Sequence, residues 1–216
     1  MTATQPTAVM IRTAGLDDIP QAATLLTEAF LIAPVSQWLI ADLSARSRVF
    51  RTLFTIELVE AIRNGGTVYV AGPVVSPVAG HFSGVAIWHP RGRRTAADPD
   101  TVSEHQIRLI TAAGPWQPRF ASLGRLLAAH HPWQPHWHLA YLAVTPWRQG
   151  SGIGTALLHH HHRHLDGHGT PGYLEATTPR NRDLYLRHGY RAHGPIRLPD
   201  GPPIWPMWRE PRPVTR

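Results

Sequence analysis

Three glycines fall at alternate positions in Gln149-Gly150-Ser151-Gly152-Ile153-Gly154, between an apolar run and a helical pattern. Glycines at a strand-to-helix junction let the backbone turn sharply and leave the first helical amides uncovered. Those amides and the positive end of the helix dipole make an anion site suited to a phosphate or diphosphate. The spacing excludes two common nucleotide loops. A GxGxxG fingerprint counted from Gly150 needs glycine at 155, where Thr155 stands, and a phosphate loop ending in GK[ST] needs a lysine, which the chain lacks. A tight packing turn is the plain alternative.

Other chemistry-bearing residues cluster downstream. Glu175 lies in the strand-like "GYLEAT", where an acid needs a reason to be. Asn181 and Tyr185 are four residues apart and share one helix face. His159 to His162, with His164 and His168, form an internal run that reads as a solvated helix face binding nickel adventitiously. His160 and His164 have metal-ligand spacing, but no acid is in register and no cysteine is near, so no native metal is expected.

The elements that must position these residues follow from periodicity. "AVMIRTA" (8–14) reads as a strand and residues 16–31 as a helix with Ile19, Ala22, Ala23, Leu26, Ala29 and Phe30 on one face. Pro34 breaks the chain, and a long helical region runs through 37–66 with Phe50, Leu53, Phe54, Leu58 and Ile62 inward. Residues 67–73 and 81–90 form a hairpin, 91–100 a loop and 102–130 helix broken at 113–118. Then come a central strand (136–144), a helix (152–166), a strand (172–177), a short helix and turn (181–190) and a terminal strand or two. The order implies a mixed α/β fold, with regular alternation in the C-terminal half.

The sequence "YLAVTPWRQGSGIGTALL", together with "YLEATTPRNRDLYLRHGYRAHG" (173–194), resembles the acetyl-coenzyme A site of the GCN5-related N-acetyltransferase (GNAT) superfamily. Within it, the "LEATTPRN" segment and the closing "LPDGPPIWPMWR" look most like the puromycin N-acetyltransferase-type resistance enzymes. The resemblance implies a central, mixed, twisted sheet flanked by helices. It also implies one N-acetyltransferase domain over 1–216, with its cofactor core at 136–208 and acceptor-site helices at 34–64 and 102–130.

The same resemblance implies residue roles. The backbone of Leu142, Ala143 and Val144 would bond the pantetheine arm, with the Val144 N–H near the thioester carbonyl. Gln149, Gly150, Ser151, Gly152, Ile153, Gly154 and Thr155 would enclose the diphosphate, with Arg148 beside them. Asn181 would contact the cofactor arm and, compatibly with that, cap its helix, and Tyr185 would protonate the departing thiolate. Glu175 would be the general base, with His138 and Tyr141 as further candidates. His81 and Trp88, with Trp38, Phe50, Phe54, Trp116 and Phe120, would line the acceptor pocket or simply pack. The implied function is direct transfer of acetyl from acetyl-CoA, without metal, to a primary amine of a small molecule such as an antibiotic. Protein or peptide amines, or an acyl-CoA sensor on the same fold without turnover, are the alternatives.

Composition bounds these readings. The 216 residues, 43% hydrophobic, suffice for one substantial core. The absence of cysteine removes disulfides, thiolate metal sites and any acyl-cysteine route, and so suits direct transfer. No secretory start and no run of about 18 apolar residues is present, so a cytoplasmic protein without a membrane partner is expected, as monomer or homodimer. The formal charge is +7 and all 21 basic residues are arginine. They are scattered, with "RGRR" at 91–94 the densest group and no aromatics interleaved, which argues against specific nucleic-acid binding.

Overall fold

The computed structural model describes residues 9–73, 82–92 and 104–213. After β1 (Val9–Thr13) the chain forms α1 (Ile19–Phe30), α2 (Pro34–Leu39) and α3 (Leu43–Arg63). The long helical region of the sequence is thus two helices. Pro34 opens α2, where its missing N–H costs nothing, and extended backbone at Ile40 ends it. Asp42 then caps α3, accepting the Ala45 N–H at 2.7 Å.

The hairpin pairs β2 (Thr67–Pro73) with β3 (Gly84–Arg91). α4 (Glu104–Ala113) and α5 (Gln117–His130) are joined by a short 3-10 turn at Gly114–Trp116. The C-terminal half alternates: β4 (His136–Val144), α6 (Ile153–Gly167), β5 (Gly172–Ala176), α7 (Pro179–Arg187), then β6 (Arg191–Ala192), β7 (Ile196–Arg197) and β8 (Pro203–Arg209). The sheet runs β1-β2-β3-β4-β5-β8-β6, with β7 also on β8. Among the described residues only β4 and β5 pair in parallel. The result is the mixed sheet flanked by helices that the sequence implies.

Both sheet faces are covered, and strand alternation divides the side chains between them. Val85 and Ile87 join Leu26, Phe50, Phe54 and Leu58 of α1 and α3 in one apolar layer. Ala86 and Trp88 join Leu157, Leu158 and Leu165 of α6 in the other. Each large apolar side chain fully buried in this way contributes about 1.5–3 kcal/mol.

One irregularity decides what faces where. Ile87 pairs with Tyr141 but Trp88 pairs with Leu139, so Ala140 is an extra residue in β4. Before it, Trp137 and Leu139 pack on the α6 side; after it, Leu142 and Val144 do. The bulge therefore turns His138 and Tyr141, three residues apart, to the same face, the one covered by α1 and α3.

Candidate active site

β4 and β5 are in register only from Trp137 to Leu139 against Gly172 to Leu174. Beyond Leu139, β4 continues to Val144 with no strand beside it on the β5 side among the described residues. The Thr145 N–H donates to the Ser83 carbonyl at 2.9 Å, and ladder bonds alternate, so Ala143 turns its main chain toward Val85. Leu142 and Val144 then turn theirs into the gap. An extended chain can be held there by main-chain bonds whatever the side chains are.

The gap opens onto the glycine turn. After a 3-10 turn at Pro146–Arg148, Gly150 and Gly152 take φ of 81° and 87°, the left-handed region that other residues avoid. A Cβ added at either would meet nothing within 4 Å, so the turn needs glycine for its backbone and not for lack of room. Gly152 begins α6 without any side-chain cap, and the first helical bond runs from the Ala156 N–H to the Gly152 carbonyl at 2.9 Å. The amides of Gly152, Ile153, Gly154 and Thr155 precede it and have no intrahelical acceptor. Uncapped amides at a helix N-terminus fit a diphosphate.

Side chains around the turn divide by role. Ile153 is buried in the α6 core. Gln149 Nε2 donates to the Val144 carbonyl at 3.4 Å, closing one side of the turn. The Arg148 carbonyl accepts from both the N–H and the hydroxyl of Ser151. Thr155 Oγ1 lies 3.2 Å from His188 Nε2, tying the start of α6 to the end of α7.

At the start of α7 the cap is Thr178, whose hydroxyl accepts the Asn181 N–H at 3.1 Å. Asn181 is therefore inside the first turn, and the capping role for its side chain is corrected. One turn on, Tyr185 is buried with its ring edge-on to Tyr190, centroids 5.8 Å apart. Burial pushes its phenol up, so the hydroxyl keeps its proton at neutral pH.

The other face of the sheet carries a second polar group where β4 and β5 begin to part. His138 Nε2 stands 2.8 Å from Glu175 Oε2, and both side chains are about nine-tenths buried. Burial works to raise the Glu175 carboxyl, but the hydrogen-bonded His138 outweighs it and holds it below its ordinary value. His131, just past α5, lies edge-on to the His138 ring at 5.1 Å and 4.8 Å from the Tyr173 ring. Burial pushes His131 down to about 3, so it is neutral. His138 Nδ1, Glu175 Oε1, His131 Nδ1 and the Tyr173 hydroxyl are buried without hydrogen-bond partners. The sequence reading names Glu175 and His138 singly but misses His131 and the pairing. The available signal is the density of "HHPWQPHWH", four histidines in residues 130–138.

The remaining candidates fall elsewhere. His81 lies outside the described residues. Trp88 is fully buried on the α6 face, stacked on His161 at 4.1 Å. Phe50 and Phe54 are core, and Tyr141 packs edge-on to Phe30 and Phe54 at 5.8 and 5.2 Å. Trp38 is held by its Nε1–H to the Pro199 carbonyl at 2.8 Å with Arg119 over its ring. Trp116 and Phe120 are partly buried against the same layer. The histidine run is a solvated face only in part: His159, His164 and His168 are exposed, but His161 and His162 are buried, and His162 Nε2 lies 3.1 Å from the Tyr190 hydroxyl. The apolar stripe of α6 includes these two positions, and uncharged imidazoles pack there as rings.

Residues 119–192 match the family model of the acetyltransferase (GNAT) domain. Solved structures share the fold over almost the whole chain. A Corynebacterium glutamicum protein described as histone acetyltransferase HPA2 and related acetyltransferase is 28% identical, with a TM-score of 0.69 over 96% of this chain and 99% of that one. Mosquito arylalkylamine N-acetyltransferase like 5b is 16% identical, with a TM-score of 0.60 over 94% and 100%. The PaiA N-acetyltransferase of Thermoplasma acidophilum, solved with coenzyme A, is 12% identical, with a TM-score of 0.54 over 94% and 99%.

Proposed function

We propose that this N-acetyltransferase, whose residues 119–192 match the acetyltransferase (GNAT) domain, moves acetyl from acetyl-CoA directly to a primary amine of a small molecule, with antibiotic amines the first class to test. The observation that carries this reading is the gap between β4 and β5, which has uncapped helix amides at one end and the His138–Glu175 pair where the strands part.

Acetyl-CoA supplies an activated thioester. The amides of Gly152 to Thr155 hold its diphosphate, and the main chain of Leu142 and Val144 holds its arm, with Asn181 beside it. The Val144 N–H steadies the negative charge that develops on the carbonyl oxygen. An amine attacks only when neutral, so a proton must leave it. With its Nε2–H donated to Glu175, His138 presents a bare Nδ1, and the two act as one proton acceptor in which Glu175 fixes the tautomer. Tyr185 returns a proton to the departing thiolate. Residues 1–216 work as a single domain in this reading, in the cytoplasm.

The C. glutamicum relative's description favours a second reading, in which the amine belongs to a protein or peptide. One panel separates the two. Acetyl-CoA is offered with antibiotic amines, polyamines and peptides, with thiol release and mass shift as readouts. Acetylation of small amines supports the proposal. Turnover on peptides alone supports the second reading, and coenzyme A binding without any turnover shows a sensor.

A further inference from the structure

We propose that His131, His138 and Glu175 form a binding site for a zinc-class divalent metal ion, and that occupancy switches acetyl transfer off. One ring nitrogen of each histidine and one carboxylate oxygen all lie within 4.8 Å of one another. Ligands at about 2.1 Å from a tetrahedral ion stand roughly 3.4 Å apart, so rotamer adjustments of about 1 Å or less close the set. Two imidazoles, one carboxylate and no sulfur suit zinc and its neighbours, not calcium or magnesium.

Two observations beyond the spacing point to a ligand. Glu175 Oε1 and His131 Nδ1 are buried with no hydrogen-bond partner, a costly arrangement that an ion relieves. The three residues also come from three separate segments, β4, β5 and the residue after α5, so the fold and not a local turn brings them together. On binding, the ion takes the Nε2 lone pair of His138 and a Glu175 oxygen in place of their hydrogen bond, and the ring proton of His138 moves from Nε2 to Nδ1. The pair can then no longer take a proton from an amine. Binding stands on the geometry alone; the inhibition rests on the function proposed above.

The test uses the full chain in two arms. In the first, cobalt and then zinc are titrated without acetyl-CoA, following the visible absorption of tetrahedral cobalt and its displacement. One ion per chain is expected, with affinity falling about 100-fold or more in His131→Phe, which keeps a ring in place, and in Glu175→Gln. That exceeds what loss of an outer-sphere partner costs. His164→Phe, on the exposed side of α6, retains it. Unchanged affinity in His131→Phe and Glu175→Gln would overturn the site, and a loss in His164→Phe instead would place the ion on the α6 histidines. In the second arm, acetylation is measured against zinc for the unaltered chain and His131→Phe, each relative to its own metal-free rate. Inhibition should need at least tenfold more zinc in the variant. Zinc held at the site with the rate unchanged would refute the switch. A chain without turnover would remove the acetyl-transfer reading, and with it the switch, while the first arm still decides the site.

Discussion

Glu175 reaches the ring of His138 across the β4–β5 pair although Tyr173, not Glu175, is the residue in register with His138. The contact is diagonal, 2.8 Å between Oε2 and Nε2, and sits just past the last paired residues, Leu139 and Leu174. A carboxylate one residue past the last β4–β5 pair can orient an imidazole facing the open end. Positioned proton transfer contributes roughly 10²–10⁴-fold to rate. Glu175→Gln and His138→Phe should therefore each lower kcat about 100-fold or more while leaving coenzyme A affinity within about twofold. Rates from thiol release and affinities from calorimetry check this, and rates within tenfold of the unaltered chain would dismiss the pair.

The glycine turn predicts the opposite split. Gly152 at φ 87° forces a residue with Cβ into a conformation that costs about 1–2 kcal/mol. A Gly152→Val chain relieves the strain by moving the amides it precedes. Coenzyme A affinity should fall at least about tenfold, and the rate at saturating acetyl-CoA should change less than KM does. An unaltered calorimetric affinity would mean that the diphosphate binds elsewhere.

How much of this was legible varies with the range of the interaction involved. The glycine turn, the α7 face carrying Asn181 and Tyr185, and the strand at 136–144 are local patterns, and periodicity and spacing reach them. The bulge at Ala140 is not local, because it appears only when β3 is laid against β4 and Trp88 faces Leu139. Strict alternation would have put His138 and Tyr141 on opposite faces. His131 joins the site only through the path of the chain after α5. The burial of His161 and His162 was hidden for a different reason, since imidazole serves either as a solvated base or as a packed ring and composition does not choose.

That packing has a pH signature. Burial pushes both His161 and His162 down to about 3, and their neighbours act mainly the same way: His160 and His164 on His161, and Arg209, His188 and His159 on His162, against Asp166. A histidine near 6.5 in the unfolded chain and depressed in the folded one makes the unfolded state bind more protons below pH 6.5. The stability is fully present above about 6.5 and is lost as pH falls toward 3. By pH 5 the loss is about 2 kcal/mol for each histidine. Urea unfolding from pH 8 to 4 should show this slope, and His161→Phe, which keeps a ring against Trp88, should flatten it by about half. An unchanged slope would count against buried neutral imidazoles.

The end of α6 is pinned to β8 by a paired fork. Arg209 Nη1 and Nη2 each donate to Asp166 at 2.8 Å, and the Arg212 N–H adds a third bond at 2.7 Å. Arg209 is 3% exposed, so removing Asp166 leaves a guanidinium buried without its counter-ion. Asp166→Ala should destabilise the chain by about 3 kcal/mol in urea unfolding, and Asp166→Asn by less, since an amide still accepts one bond. Equal, small effects would show that water reaches the guanidinium.

Tyr185 separates a chemical role from a packing role. Its ring is buried against Tyr190, and Tyr185→Phe keeps that packing while deleting the proton that burial holds on the oxygen. If the phenol supplies the departing thiolate, kcat should fall about 10- to 100-fold with the unfolding midpoint nearly unchanged. The loss should be smaller for an acyl donor whose thiol has a lower pKa, because such a leaving group needs less help. A loss of the same size for both donors would make Tyr185 a positioning residue, and undiminished turnover would remove it from the chemistry altogether.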